Sequence, residues 1–181
     1  MIVDVSVRAE CIELAENGQT AAIVAEGLRS WRIPGAGELL LSGPRLFAEA
    51  PALGRLRVVP DRLGVVDGSA ETHAVALAKN CRTEEMELTQ RWSFGGAGPL
   101  VGCFEFIVPP AWGRLEKLGV ALESAGACPL FDVCADGASV EAAGPVMTFS
   151  ADGFPAGPGI CRVKLTFIAK KQDFAFEGSP A

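Results

Sequence analysis

Tyrosine is absent from this chain of 181 residues, and histidine occurs once. No stretch approaches the roughly 20 apolar residues that a bilayer-spanning helix needs, so no membrane span is expected. A binding surface rich in adaptable aromatic contacts normally uses tyrosine, so its absence counts against a paratope-like face. With His73 alone, acid–base chemistry has a single imidazole to draw on. There is no CxxC pair, no Cys/His spacing suited to zinc and no nucleophile signature. Blocks of like charge are also missing. Sixteen Lys and Arg stand against 22 Asp and Glu, a formal net charge of −6. Such a balance disfavours direct nucleic-acid binding and docking on anionic lipid, both of which depend on clustered cations. The opening residues Met1-Ile2-Val3-Asp4-Val5 lack a basic segment, an apolar core and a small-residue cleavage site. Export by a signal peptide is therefore not expected, and the location read from the sequence is cytoplasmic or within a virion.

What the chain does have is strand pattern. Cys161, Val163, Leu165, Phe167 and Ala169 alternate with Arg162, Lys164, Thr166 and Lys170. Met86, Leu88, Trp92 and Phe94 alternate with Glu85, Glu87, Thr89, Arg91 and Ser93. A period of two marks half-buried β-strands. Twenty-one Gly and 12 Pro divide the chain into short pieces, which suits many strands and few helices. Val3, Val5 and Val7 begin a further alternation that slips near Ile12, read as a bulge. Asn17-Gly18 predicts a tight hairpin. Short strands are expected at Leu56 to Val59 and Leu63 to Val66, around Pro60-Asp61, and an Ala-rich helical turn at Phe47 to Leu53. Ser69 to Asn80 fits a helix capped by Ser69 or a strand with Val75 and Leu77 on one face, with the helix preferred. Pro110 to Ser124 has helical spacing at Trp112, Leu115, Leu118 and Leu122, but Gly113 and Gly119 favour a strand over Leu115 to Glu123. No repeat or linker divides the chain, so one domain over 1–181 is expected. The fold class is mainly β: an antiparallel β-sandwich of jelly-roll or Greek-key type with one or two short helices.

Six cysteines, at 11, 81, 103, 128, 134 and 161, read as reduced thiols in a chain of this length without a leader. Cys128 and Cys134 flank a strand and need not face each other. Asp132, Asp136 and Asp152 lack the spacing of a calcium loop, so no metal site is assigned. Gly96 to Gly102 resembles a dinucleotide loop only superficially, because a strand follows it instead of a helix. His73, with Asp67 and Glu71 close in sequence, is the sole basis for a Cys–His enzyme. No catalytic residue and no cofactor are assigned.

Apolar residues make up 49% of the chain, more than one small sandwich needs for its core, and this surplus points to subunit interfaces. The reading that follows is a non-enzymatic structural protein that self-assembles as a homo-oligomer or with other particle subunits. Its setting would be a viral or phage particle: capsid, decoration or tail. Phe174 and Phe176, with Lys170 and Lys171, are the expected interface residues. The basic face of Arg162, Lys164, Lys170 and Lys171 would either protect a strand edge or meet Glu84, Glu85 and Glu87 of another strand or subunit. The alternative is a carbohydrate- or small-ligand-binding module in which Trp31 and Trp112, both near turns, stack on the ligand.

Overall fold

The computed structural model describes residues 3–95, 98–125, 131–143, 145–151 and 159–169. Strands dominate, all paired antiparallel, and they form three sheets. The first sheet is a meander in chain order: β1 (Asp4–Arg8), β2 (Cys11–Glu16), β3 (Gln19–Val24), β4 (Gly27–Ile33) and β5 (Gly37–Glu38). The slip near Ile12 is a chain reversal rather than a bulge. Arg8 pairs with Cys11 around a two-residue turn, and Val7 lies opposite Ile12. Such a turn pairs odd positions with even ones, so the apolar phase must change there. Asn17 and Gly18 make the expected hairpin, with φ of 53° and 78°. Asp67 and Gly68 repeat that geometry with φ of 49° and 74°.

The second sheet is built on another meander: β7 (Leu56–Val66), β8 (Ser69–Ala78), β9 (Cys81–Phe94) and β10 (Leu100–Val108). Two strands from later in the chain extend it, giving the order β12 (Phe131–Asp136), β15 (Gly159–Ala169), β10, β9, β8, β7. The third sheet has the order β13 (Ser139–Ala143), β14 (Val146–Ser150), β11 (Lys117–Ser124), β6 (Leu40–Glu49). One 3-10 turn, Pro110–Trp112, precedes β11. Among the described residues no helix is long and apolar enough to cross a membrane.

Three local expectations are corrected. Ser69 to Ala78 is strand, not helix, and Lys79 and Asn80 form the turn that follows. Ala70, Thr72, Ala74, Ala76 and Ala78 point inward, while His73, Val75 and Leu77 point outward. Alanine at every second position satisfies a helical face and a strand face alike. Pairing with β7 on one side and β9 on the other decides the matter. The Ala-rich segment Phe47 to Leu53 divides: Phe47 to Glu49 end β6, where Ala48 lies opposite Leu118, and a non-helical turn over Pro51 to Leu53 follows, closed by the Leu53 amide on the Ala50 carbonyl at 3.0 Å. The two pieces around Pro60 are one strand, β7, with a register shift between Pro60 and Arg62. Proline is tolerated there because β7 is the last strand of its sheet.

The sheets stack on inward aromatic side chains. Trp92 meets Phe104 edge-on at 5.4 Å and lies tilted against Phe167 at 5.8 Å. Trp31 of the first sheet meets the same Phe167 edge-on at 6.0 Å, which ties the first sheet to the second. Gly102 makes room for this cluster: a Cβ there would lie 2.6 Å from the Trp92 ring. Burying each such ring removes a large apolar surface from water, and truncating one to Ala costs about 3–5 kcal/mol.

Candidate functional site

Among the described residues the outer face of the six-stranded sheet is uncovered, and its polar phase is ordered by register. Glu71, Arg91, Cys103, Lys164 and Asp136 form one row across β8, β9, β10, β15 and β12. His73, Thr89, Glu105 and Arg162 form the next row. Together these rows border a hollow of about 720 Å³. Arg91 donates to one Glu71 oxygen from Nη2 at 2.7 Å and from Nε at 3.1 Å, and this hydrogen bond raises the guanidinium above its ordinary value. Arg162 donates to Glu105 on the adjacent strand, not to Glu84, Glu85 or Glu87 as expected. Its neighbour in the sheet is β10, which stands between β15 and β9. Charge on this face is therefore largely matched across strands.

His73 is held between two carboxylates. Its Nδ1 lies 3.0 Å from Asp61, and its Nε2 lies 3.9 Å from Glu87. Neither sequence neighbour is its partner. The Asp67-Gly68 turn carries Asp67 off the strand, and Glu71 is engaged by Arg91. Both ring nitrogens thus face acids, and no hydrogen bond joins His73 to a thiol among the described residues. Cys103 and Cys134 are exposed, whereas Cys161 is half-buried and burial pushes its thiol up. Cys81 donates weakly to the Ala111 carbonyl at 3.6 Å. Cys128 and Asp152 lie outside the described residues. Among those described, no group of three or more His, Cys, Asp or Glu is placed to hold a metal ion.

Comparison with protein-family models and with curated proteins gives no match. The site must be read from its own geometry.

The tryptophans expected to stack on a ligand are sealed. Trp31 has no exposed surface, and its Nε1 donates to Gln19 at 3.2 Å. Gln19 in turn donates to the Gly98 carbonyl at 2.8 Å. Trp112 is also buried, and its Nε1 donates to the Glu84 carbonyl at 3.3 Å. Proximity to a turn did not free either ring, because each lies on an inward phase and ends at a polar acceptor. Beside Trp31, Glu38 gathers donors from the Trp31 amide at 2.9 Å, the Leu40 amide at 3.2 Å, Arg32 at 3.1 Å and the Ser30 hydroxyl. Burial alone would raise the Glu38 carboxyl, but these hydrogen bonds outweigh it and hold the group below its ordinary value.

Phe174, Phe176, Lys170 and Lys171 lie outside the described residues. Exposed apolar surface is found elsewhere, at the sheet margins. Val7 on β1, Leu41 on β6, Val58 and Val65 on β7 and Val140 on β13 are all exposed, Val7 and Leu41 by 66%. Each of these strands is the last of its sheet. On the uncovered face, Ile107 lies directly opposite Ile160, both exposed, and Ile168 stands further along β15. The sequence carried a signal for the last two. Ile160 and Ile168 share the phase of Arg162 and Lys164, where polar residues belong.

Proposed function

We propose that this chain is a non-enzymatic structural subunit that self-assembles through its strand margins and the outer face of its six-stranded sheet. The setting that fits best is a viral or phage particle, as a capsid, decoration or tail component. The observation that supports this reading is the placement of exposed apolar side chains on the outermost strands. A margin strand offers unpaired N–H and C=O groups to another chain, and proteins that stay monomeric usually blunt it with charge, proline or a bulge. Here β7 carries Arg57 near its start and Pro60, a register shift and Arg62 at its centre, yet Val58 and Val65 on either side of that centre stay exposed. That pattern suppresses indiscriminate pairing while leaving apolar contacts for a defined neighbour. The carbohydrate-binding alternative loses the platform it rested on, since Trp31 and Trp112 are buried.

Light scattering over a concentration series, followed by negative-stain imaging, tests the reading. Defined oligomers or particles are expected. Ile160→Lys together with Val65→Lys should lower the assembled mass while leaving circular dichroism and melting unchanged, because both side chains are solvent-exposed in the isolated chain. A wild-type chain that stays monomeric at every concentration would reject self-assembly.

A further inference from the structure

Between β6 and β7, the end strands of two different sheets, the sandwich opens into a cavity of about 570 Å³. Its floor comes from inward side chains of opposite layers: Leu88 and Gln90 on β9 and Val120 on β11, each buried. The volume falls within the range of small-molecule sites, which are mostly apolar with a few placed polar groups. Gln90 is the polar group of that floor and is 3% exposed. Its Nε2 donates to the Glu26 carbonyl at 3.3 Å, which fixes the amide orientation, since a flipped amide would set two carbonyl oxygens against each other. Its Oε1 rests against Gly27, where a Cβ would come within 2.5 Å, and it has no hydrogen-bond partner among the described residues.

Charge at the opening is one-sided. Arg45 and Arg55 line the cavity, are exposed, and make no ion pair among the described residues. Glu26 is the single acid in the lining. A second hollow shares Arg55 and adds Arg57, Lys79 and Arg82, again without ion pairs among the described residues. In a chain with net charge −6, two unmatched arginines at this opening, with three more cations around the neighbouring hollow, form a local field that favours an anion.

We propose that this cavity binds a small amphipathic anion, of the class of a medium-chain carboxylic acid. Its apolar body lies between the sheets over Leu88 and Val120, and its carboxylate lies at Arg45 and Arg55. Guanidinium and carboxylate match in charge and in planar geometry. Val58, one of the margin contacts assigned to self-assembly, also lines this cavity, so binding is measured on dispersed chains, where ligand binding and assembly are read separately.

Isothermal titration of the full chain with decanoate tests the proposal, with decanol as the neutral control of equal length. Decanoate is expected to bind one molecule per chain, with decanol clearly weaker. Arg45→Gln with Arg55→Gln should weaken decanoate about tenfold, as expected for losing two partly exposed charge contacts, and leave decanol unchanged. Ala48→Phe, on the cavity wall, should abolish binding of both by filling the space, with circular dichroism verifying the fold. No binding of decanoate by the wild type, or binding that the double arginine variant and Ala48→Phe leave intact, would overturn the assignment.

Discussion

Glu38 shows how a single side chain organises its surroundings. Four donors converge on one half-exposed carboxylate, three of them on β4 and one at the start of β6. Its folded pKa lies below the unfolded value, so its contribution to stability is present above the ordinary carboxylate range and fades as pH falls through the folded value. Glu38→Gln should therefore destabilise the protein at pH 7. The gap from wild type should narrow on acidification below about pH 4, where the wild-type carboxyl begins to take up its proton. Urea unfolding at several pH values gives both curves, and parallel curves would show that the donors do not stabilise the charge. Gln90 is the residue-scale feature that periodicity passes over. It occupies the apolar phase of β9 between Leu88 and Trp92, and a polar residue in that phase is the visible trace of a polar spot between the layers.

At the scale of elements, the strands with contrasting faces were legible in the sequence. Val163, Leu165 and Phe167 are buried as the alternation of β15 requires, and Met86, Leu88, Trp92 and Phe94 likewise on β9. The hairpin at Asn17-Gly18 was equally plain. β8 was not, because its inward face is nearly all alanine, which carries no information about period. The Asp67-Gly68 turn ahead of it was the missing clue, since a hairpin there forces the next segment to pair back on β7. Asp67→Val places a β-branched side chain at φ 49° and should lower stability by about 1–2 kcal/mol, whereas Asp67→Asn should be nearly neutral. Thermal unfolding of the two variants checks this, and equal losses would mean that side-chain chemistry matters there more than the backbone. The cavity between β6 and β7 was not legible at this scale, since its walls come from strands far apart in sequence.

For the whole molecule, the uncovered face of the six-stranded sheet is where solvent and neighbours compete. Cys103 sits in its central row and Cys134 is also exposed, whereas Cys161 is partly shielded with its thiol pushed up by burial. Dispersed chains should therefore be alkylated at Cys103 and Cys134 first and at Cys161 last, read peptide by peptide by mass spectrometry. If that face packs against a neighbour, labelling of Cys103 should slow markedly in assembled material while the order in dispersed chains stays the same. Equal rates in both states would place the contacts at the strand margins alone.

The position of β15 carries a consequence in time. It lies between β10 and β12, yet it follows every other described strand in sequence. During synthesis β10 has no partner on that side until the last strand emerges, and Trp31 and Trp92 wait for Phe167 to complete their cluster. The nascent protein therefore holds an open, aromatic-lined seam while residues 109–158 are added. Chaperone demand and loss to aggregation should concentrate in that interval.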